Sequence, residues 1–352
     1  MAYTTIDDPS AYFHTQLYTG SSSGQSITND ANAGDFKPDW VWIKRRDGDP
    51  NVVGNGHHSL YDSSRGVQKE IYSDLNSAEA TNSGGLTAFG TDGFTVGTEA
   101  RVNSNGLSFV SWQWKANGGT TSSNTDGSIT STVQANTTAG FSIVTYTGTA
   151  TGGATIGHGL GVAPKAVFTK TRAISDNWLV YHAGIGATKY LTLNTNSSES
   201  TSSGAWNDTA PSSTVVTLGS FDNSNDNDSM VAYCFAEKQG YSKIGSYTGN
   251  GNADGPFVYT GFKPAWVMWK TTGTNNWNLL DNKRSPNNVV DKNFYPDASN
   301  VEMTSTKADF LSNGFKIRTS DNQSNTSGTT YIYMAFAEHP FVSSEGVPTT
   351  AR

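Results

Sequence analysis

Cysteine is almost missing from this chain of 352 residues: one residue, Cys234, is present and it cannot close an intrachain disulfide. The fold must therefore be held by burial, and it can mature in a reducing cytoplasm. Cys234 lies in the apolar run YCFA, which marks a core thiol rather than a nucleophile. Charge is also sparse, at 15% of residues, and 23 basic against 30 acidic side chains leave a formal net charge of -7 with no basic stripe. That balance disfavours electrostatic capture of nucleic acid or of anionic membranes. No apolar window approaches the roughly 20 residues that span a bilayer. The opening MAYTTIDDPSAYF lacks both the basic and the apolar region of a secretory signal. Long helical patterns and heptads are missing as well. The expectation is a soluble protein, made in a cytoplasm without a signal peptide.

What is abundant is glycine, at 37 residues, in company with Ser, Thr and Asn, the composition of many short strands joined by polar turns. Within it one phrase occurs three times: KPDWVWIK at 37–44, APKAVFTK at 163–170 and KPAWVMWK at 263–270. Aligned on Pro38, Pro164 and Pro264, other landmarks fall into register. A Tyr-Thr-Gly precedes each proline, with Tyr18, Tyr146 and Tyr247 standing 20, 18 and 17 residues before it. An aromatic strand closes each unit, and Trp114, Phe235 and Phe336 lie 76, 71 and 72 residues after the proline. Three landmarks in one order at near-constant spacing define an internal repeat of about one hundred residues.

The repeats predict an all-β fold of three tandem antiparallel β-sandwich domains, jelly-roll-like. The expected boundaries are an N-terminal arm at 1–11, sandwiches at 12–116, 139–238 and 239–339, and a C-terminal tail at 340–352. Residues 117–138, rich in Gly, Ser, Thr and Asn, read as a flexible linker. Units two and three, joined by a few residues near Gln239-Gly240, are expected to pack closely, with unit one set apart. Each terminal segment carries proline and a few apolar residues, among them Ile6, Phe341 and Val347, so at least one end is expected to be ordered against a domain or a subunit.

A proline at the first residue of a strand ends the loop and costs no ladder hydrogen bond. Beyond it alternate side chains face opposite ways. Trp40 and Trp42 share one face and Val41 and Ile43 the other, so both faces are apolar and the strand is central. Trp40, Trp42, Trp266 and Trp269 are thus expected in cores. Lys44, Lys170 and Lys270 end the strand in every unit and are expected to snorkel at a sandwich rim. Trp178, Trp206 and Trp277 lie in polar surroundings, which makes them the candidates for a ligand-stacking platform.

No catalytic, cofactor-binding or metal-binding residue is nominated, and no cofactor is expected. The six histidines form no zinc-binding spacing, and His57-His58 reads as a loop pair. TGGATIGHGLGVAP (151–164) precedes a strand instead of opening a helix, so its glycines read as turn residues and not as a phosphate loop. DNSNDNDS (222–229) has calcium-loop composition without the EF-hand glycine and distal glutamate, and reads as a hairpin tip. Glu237 and Glu338 read as strand-end charges. A glycosidase needs two carboxylates facing one cleft, and no pair stands out.

The opening MAYTTIDDPSAYF, the recurrent YTG and KPDWVWIKRR phrases, the strand YMAFAEHPF and the ending GVPTTAR resemble, over nearly the whole length, virion proteins of marine tailed bacteriophages labelled tail-fibre or tail-associated structural proteins. The resemblance carries no catalytic motif and no site residue. It implies a non-enzymatic virion protein, a globular tail-fibre or appendage module for host-surface attachment. The alternatives are a capsid decoration or head-fibre protein and, behind it, a polysaccharide-degrading enzyme. Implied partners are other virion proteins, a host surface glycan or protein, and further copies of the chain, most naturally as a trimer. A fibre shaft of coiled coil or short-period β-repeat is missing, so the expected form is compact.

Overall fold

The computed structural model describes residues 2–30, 36–48 and 56–349. The fold is all-β and antiparallel, and its helices are single turns such as Ala100–Asn103 and Asp222–Asn225. No helix among the described residues is long and apolar enough to cross a membrane.

Three units share one plan, a large sheet backed by a small one. In unit 1 the opening strand Phe13–Thr19 pairs with the closing strand Ser108–Trp114. On its far side lies the Pro-led strand Trp40–Arg45, followed by the return strand Ser59–Asp62. Unit 2 repeats the order with Phe141–Thr147, Ser229–Phe235, Ala166–Thr171 and Leu179–His182. Unit 3 does so with Ser242–Thr248, Thr330–Pro340, Phe262–Thr271 and Asn278–Asp281. The second strand of each unit pairs with the penultimate one in the small sheet: Gln25–Ile27 with Phe94–Val96, Thr155–Gly157 with Val215–Thr217, Phe257–Tyr259 with Gly314–Ile317. First-with-last and second-with-penultimate pairing gives the jelly-roll-like character.

The repeated Tyr-Thr-Gly is a clamp on the loop before the closing strand. Tyr18, Tyr146 and Tyr247 donate their hydroxyls to the carbonyls of Val102, Ser224 and Ser324 at 2.7, 2.6 and 2.9 Å. The glycines follow where backbone passes so close that a Cβ would lie 2.1, 2.0 and 2.3 Å from the carbonyl oxygens of Ser104, Asp226 and Thr326. A buried asparagine locks each clamp. Asn103, Asn225 and Asn325 accept from the backbone amides of Ser21, Thr149 and Asn250. Their amide groups donate to backbone carbonyls such as Gly97, Gly219 and Thr319.

The two faces of the Pro-led strand go to two different cores. Val41 and Ile43 pack toward the unit's own small sheet. Trp40 and Trp42 belong to a second cluster that draws on all three units. There Trp40 stacks on Tyr233 of unit 2 at 4.7 Å, Trp114 meets Trp266 of unit 3 edge-on at 5.7 Å, and Phe235 meets Phe336 at 6.1 Å. The three large sheets therefore face one another across a single aromatic centre.

Their seams repeat in rotation. Trp178 Nε1 of unit 2 donates to Tyr72 O of unit 1 at 2.7 Å, and Trp277 Nε1 of unit 3 donates to Thr192 O of unit 2 at 3.0 Å. His58 of unit 1 closes the ring with Nε2 3.1 Å from Tyr295 O of unit 3. A second set runs through backbone amides: Glu79 to Arg172 O, Glu199 to Thr272 O and Glu302 to Arg46 O, at 2.9, 2.8 and 2.9 Å. Two charge networks follow the same pattern. The buried Asp62–Arg65 pair continues through Glu79 to Arg172 of unit 2. Likewise Asp281–Arg284 continues through Glu302 to Arg46 of unit 1. Unit 2 has His182 and Ile185 in the corresponding places, and there His182 Nε2 donates to Tyr333 O at 3.1 Å. The molecule is a closed ring with approximate threefold symmetry inside one chain.

Three expectations are corrected by this arrangement. Unit 1 is not set apart, because its tryptophans complete the common core. The presumed linker 117–138 contains Ser122–Asn124 and Ser131–Asn136, which extend the unit 2 sheet beyond its opening strand. Most of its polar side chains are exposed, as on an edge hairpin, and Ser131 and Gln134 are buried. Lys44, Lys170 and Lys270 do not reach a rim: all three are fully buried. Lys44 donates to Gly56 O and Lys170 to Asn76 O at 3.2 Å, while Lys270 donates to Gly273 O at 2.6 Å. The N-terminal arm, expected to be ordered against a domain or a subunit, is covered by the chain itself. Ile6 enters the common core, Thr4 Oγ1 donates to Gln239 O at 2.8 Å, and Tyr3 donates to Gly261 O at 2.8 Å. At the other end Ser344 N donates to Asp7 at 2.6 Å and Val347 is exposed. Met1 and 350–352 lie outside the described residues.

Candidate functional site

The residues proposed as a stacking platform are buried. Trp178, Trp206 and Trp277 are 0%, 1% and 2% exposed, so no indole face is free for a ligand. Asn207 and Asp208 beside Trp206 are exposed, whereas Asn278 beside Trp277 is buried with it. Trp178 and Trp277 tie the seams, and Trp206 packs edge-on against Tyr181 beneath the small sheet of unit 2. His58 of the histidine pair occupies the place that Trp178 and Trp277 hold in their units. Its Nδ1 accepts from Trp42 Nε1 at 2.8 Å, and burial holds the imidazole well below its ordinary pKa. His57 turns to Asp74 at 2.7 Å. Residues 222–229 begin as a helical turn whose Asn225 is spent on the clamp. Burial pushes the Cys234 thiol up to about 12, so it is inert.

The three seams correspond, but they are not filled alike. Between units 2 and 1, Gln134 is fully buried and donates to Ser63 Oγ and Ser64 Oγ at 2.9 Å each. Its carbonyl accepts from Asn117 N and Gly119 N at 3.2 and 2.7 Å. Asp39 completes that seam by accepting from Ala116 N and Gly118 N, both at 2.8 Å. Between units 3 and 2, Glu237 accepts from Ile244 N at 2.9 Å and faces Lys243 at 3.4 Å.

Between units 1 and 3, Ala265 stands where Asp39 stands in unit 1. Asn282 and Lys283 replace Ser63 and Ser64, and among the described residues no strand supplies a counterpart of Gln134. A cavity of about 380 Å³ remains, floored by Phe13, Ala265 and Ala337 and walled by His14, Thr15 and Glu338. A second cavity of about 360 Å³ shares Asn282, Lys283 and Glu338 with it. The lysines of the wall are paired, Lys283 with Asp30 at 2.6 Å and Lys263 with Glu338 at 2.8 Å, while the Asp8 carboxylate accepts from Ser10 N at 3.0 Å. Burial lowers the pKa of His14, against the pull of Asp30, so its imidazole is neutral at pH 7. Thr15 occupies the position of Ile143 and Ile244, which belong to the common core. It is buried, and its hydroxyl has no hydrogen-bond partner among the described residues.

A family model described as Domain of unknown function (DUF7483) matches residues 8–340. The chain belongs to that family. The match spans all three units. No curated protein and no solved structure matches the chain.

Chemically, this family member offers in its open seam a small polar chamber with an apolar floor and no net uncompensated cation. Sequence reasoning missed it because its walls come from residues more than 250 positions apart. A second exposed feature was also missed. Phe257 and Tyr259, 45% and 53% exposed, project from the edge strand of the unit 3 small sheet. Unit 2 has Thr155 and Gly157 in the corresponding register. The alternation in Phe257-Val258-Tyr259 was the available signal, with Val258 inside and the aromatics out.

Proposed function

We infer that the chain is a non-catalytic virion protein, a compact tail-fibre or appendage module that engages the host surface. The observation that carries this reading is the closed ring: three equivalent units locked around one aromatic core make a stiff body that holds a cavity between units 1 and 3 at its surface. The resemblance to phage tail-associated proteins supplies the setting. The seam's carboxylates, Asp30 and Glu338, are held in ion pairs, as suits binding more than proton transfer. Immunogold labelling of intact particles tests the placement: gold on the tail is expected, and gold confined to the head would replace this reading with capsid decoration. Release of reducing ends from host polysaccharide by the purified chain would overturn the non-catalytic part.

A further inference from the structure

We propose that the open seam between units 1 and 3 is a binding site for a neutral saccharide of one or two rings. The proposal takes its biological setting from the attachment reading, but its chemistry stands on the seam alone.

Of three corresponding seams, two carry the chain's own polar groups, Gln134 with Asp39 in one and Glu237 in the other, although a shallower cavity of about 460 Å³ lies beside Gln134, at Asn117 and Asn136. In the third the same wall positions surround about 380 Å³ of space, room for one or two sugar rings. Charge decides against an anion. An anion would need an unpaired cation, yet Lys283 and Lys263 already hold Asp30 and Glu338. A neutral polyol asks for the reverse, fixed donors and acceptors that keep lone pairs and protons to spare. Ion-paired carboxylates, the Asn282 amide and the neutral His14 imidazole answer that description. The floor of Phe13, Ala265 and Ala337 suits the C–H face of a sugar ring.

Thr15 is the independent observation. Where units 2 and 3 place isoleucine, unit 1 places a buried hydroxyl with no hydrogen-bond partner among the described residues, in a residue that lines this cavity. A buried polar group left unpaired destabilises the fold, so packing alone would favour the isoleucine of the other units. The hydroxyl is turned away from the cavity as it stands, and rotation about χ1 would bring it to the cavity wall, where a ligand hydroxyl would pair it.

Saturation-transfer NMR on the full purified chain tests the site. The probes are the methyl glycosides of glucose, galactose, mannose and N-acetylglucosamine, together with maltose and cellobiose, and N-acetylneuraminic acid serves as the charged control. At least one neutral probe should bind and the charged one should not. Glu338→Ala should weaken binding by about tenfold or more. Thr15→Val should weaken it while raising the thermal midpoint, whereas Ser64→Ala in the filled seam should leave it unchanged. Absence of binding by every neutral probe, or binding that survives both Glu338→Ala and Thr15→Val, overturns the proposal; the latter would move the site elsewhere, for instance to Phe257 and Tyr259. Because the assay uses no particle, binding with gold confined to the head would sink the attachment reading and leave the site standing.

Discussion

Single residues carry two kinds of message here, and only one was readable in one dimension. Trp40, Trp42, Trp266 and Trp269 lie in apolar alternation, and their burial followed from it. Trp178 and Trp277 lie among Asn and Asp, and their burial depends on a neighbouring unit that no local pattern announces. The repeated lysine is the same case. Buried against backbone carbonyls, Lys44 is brought down to about 7, and Lys170 and Lys270 to about 8, in each case by desolvation, which the nearby Asp74, Asp176 and Asp297 only partly oppose. An unfolded lysine titrates near 10.4, so between about pH 7 and 10 the unfolded chain binds more protons than the folded one. Stability should therefore rise with pH across that window. Above pH 10 buried phenols such as Tyr241 and Tyr146, raised by desolvation, reverse the trend. Thermal midpoints measured from pH 6.5 to 9.5 should climb in the wild type, and Lys170→Met should flatten the climb. The clamp gives a second test at this scale. Asn225→Asp keeps an acceptor for Thr149 N but loses both donors, so it should cost on the order of 2–3 kcal/mol, nearly as much as Asn225→Ala. Denaturant melts in excess calcium would show no recovery; a rescue of the Asp variant by calcium would revive the cation reading of 222–229.

At the scale of elements, strand existence was legible and strand company was not. The prolines, the Tyr-Thr-Gly phrases and the closing aromatics marked the large-sheet strands, because a strand buried on both faces must be apolar at every position. Ser131–Asn136 escaped for the opposite reason. Its Val133 enters the unit 2 core, but Gln134 is buried in polar company and looks solvated in the sequence. Gln134→Ala should strip partners from Asn117 N and Gly119 N and cost about 2–3 kcal/mol in a denaturant titration. Gln134→Glu keeps the acceptor and loses the two donors to Ser63 and Ser64, so it should fall between. A flexible linker would tolerate either change within about 0.5 kcal/mol, so a flat response would restore the linker.

The whole molecule is where the sequence misled most, and the reason is physical. A repeat of one hundred residues is long enough to build its own core, and each unit has one between its two sheets. Nothing in the repeat itself says that the outer face of the large sheet is apolar because two further copies cover it. Unit 1 excised at residue 116 would expose Trp40, Trp42, Trp112 and Trp114 together, each of which removes about 150–250 Å² from water when buried. At about 25 cal/mol per Å² that is several kcal/mol per side chain, beyond what a domain of this size has to spare. The fragment should therefore be unfolded or aggregated by circular dichroism and size exclusion. The full chain should melt in one cooperative transition, and Trp40→Ala, at about 3–5 kcal/mol, should lower that transition as a whole without splitting it. The same closure bears on assembly. Each unit already meets the other two along matched seams, so the faces that a trimer of one-unit protomers would use are occupied within a single chain. Light scattering on the purified protein should then report the mass of one chain, with or without residues 341–352. A trimer lost on that deletion would show instead that the tail joins three rings, and a fragment 12–116 that folds alone would show that the common core is dispensable.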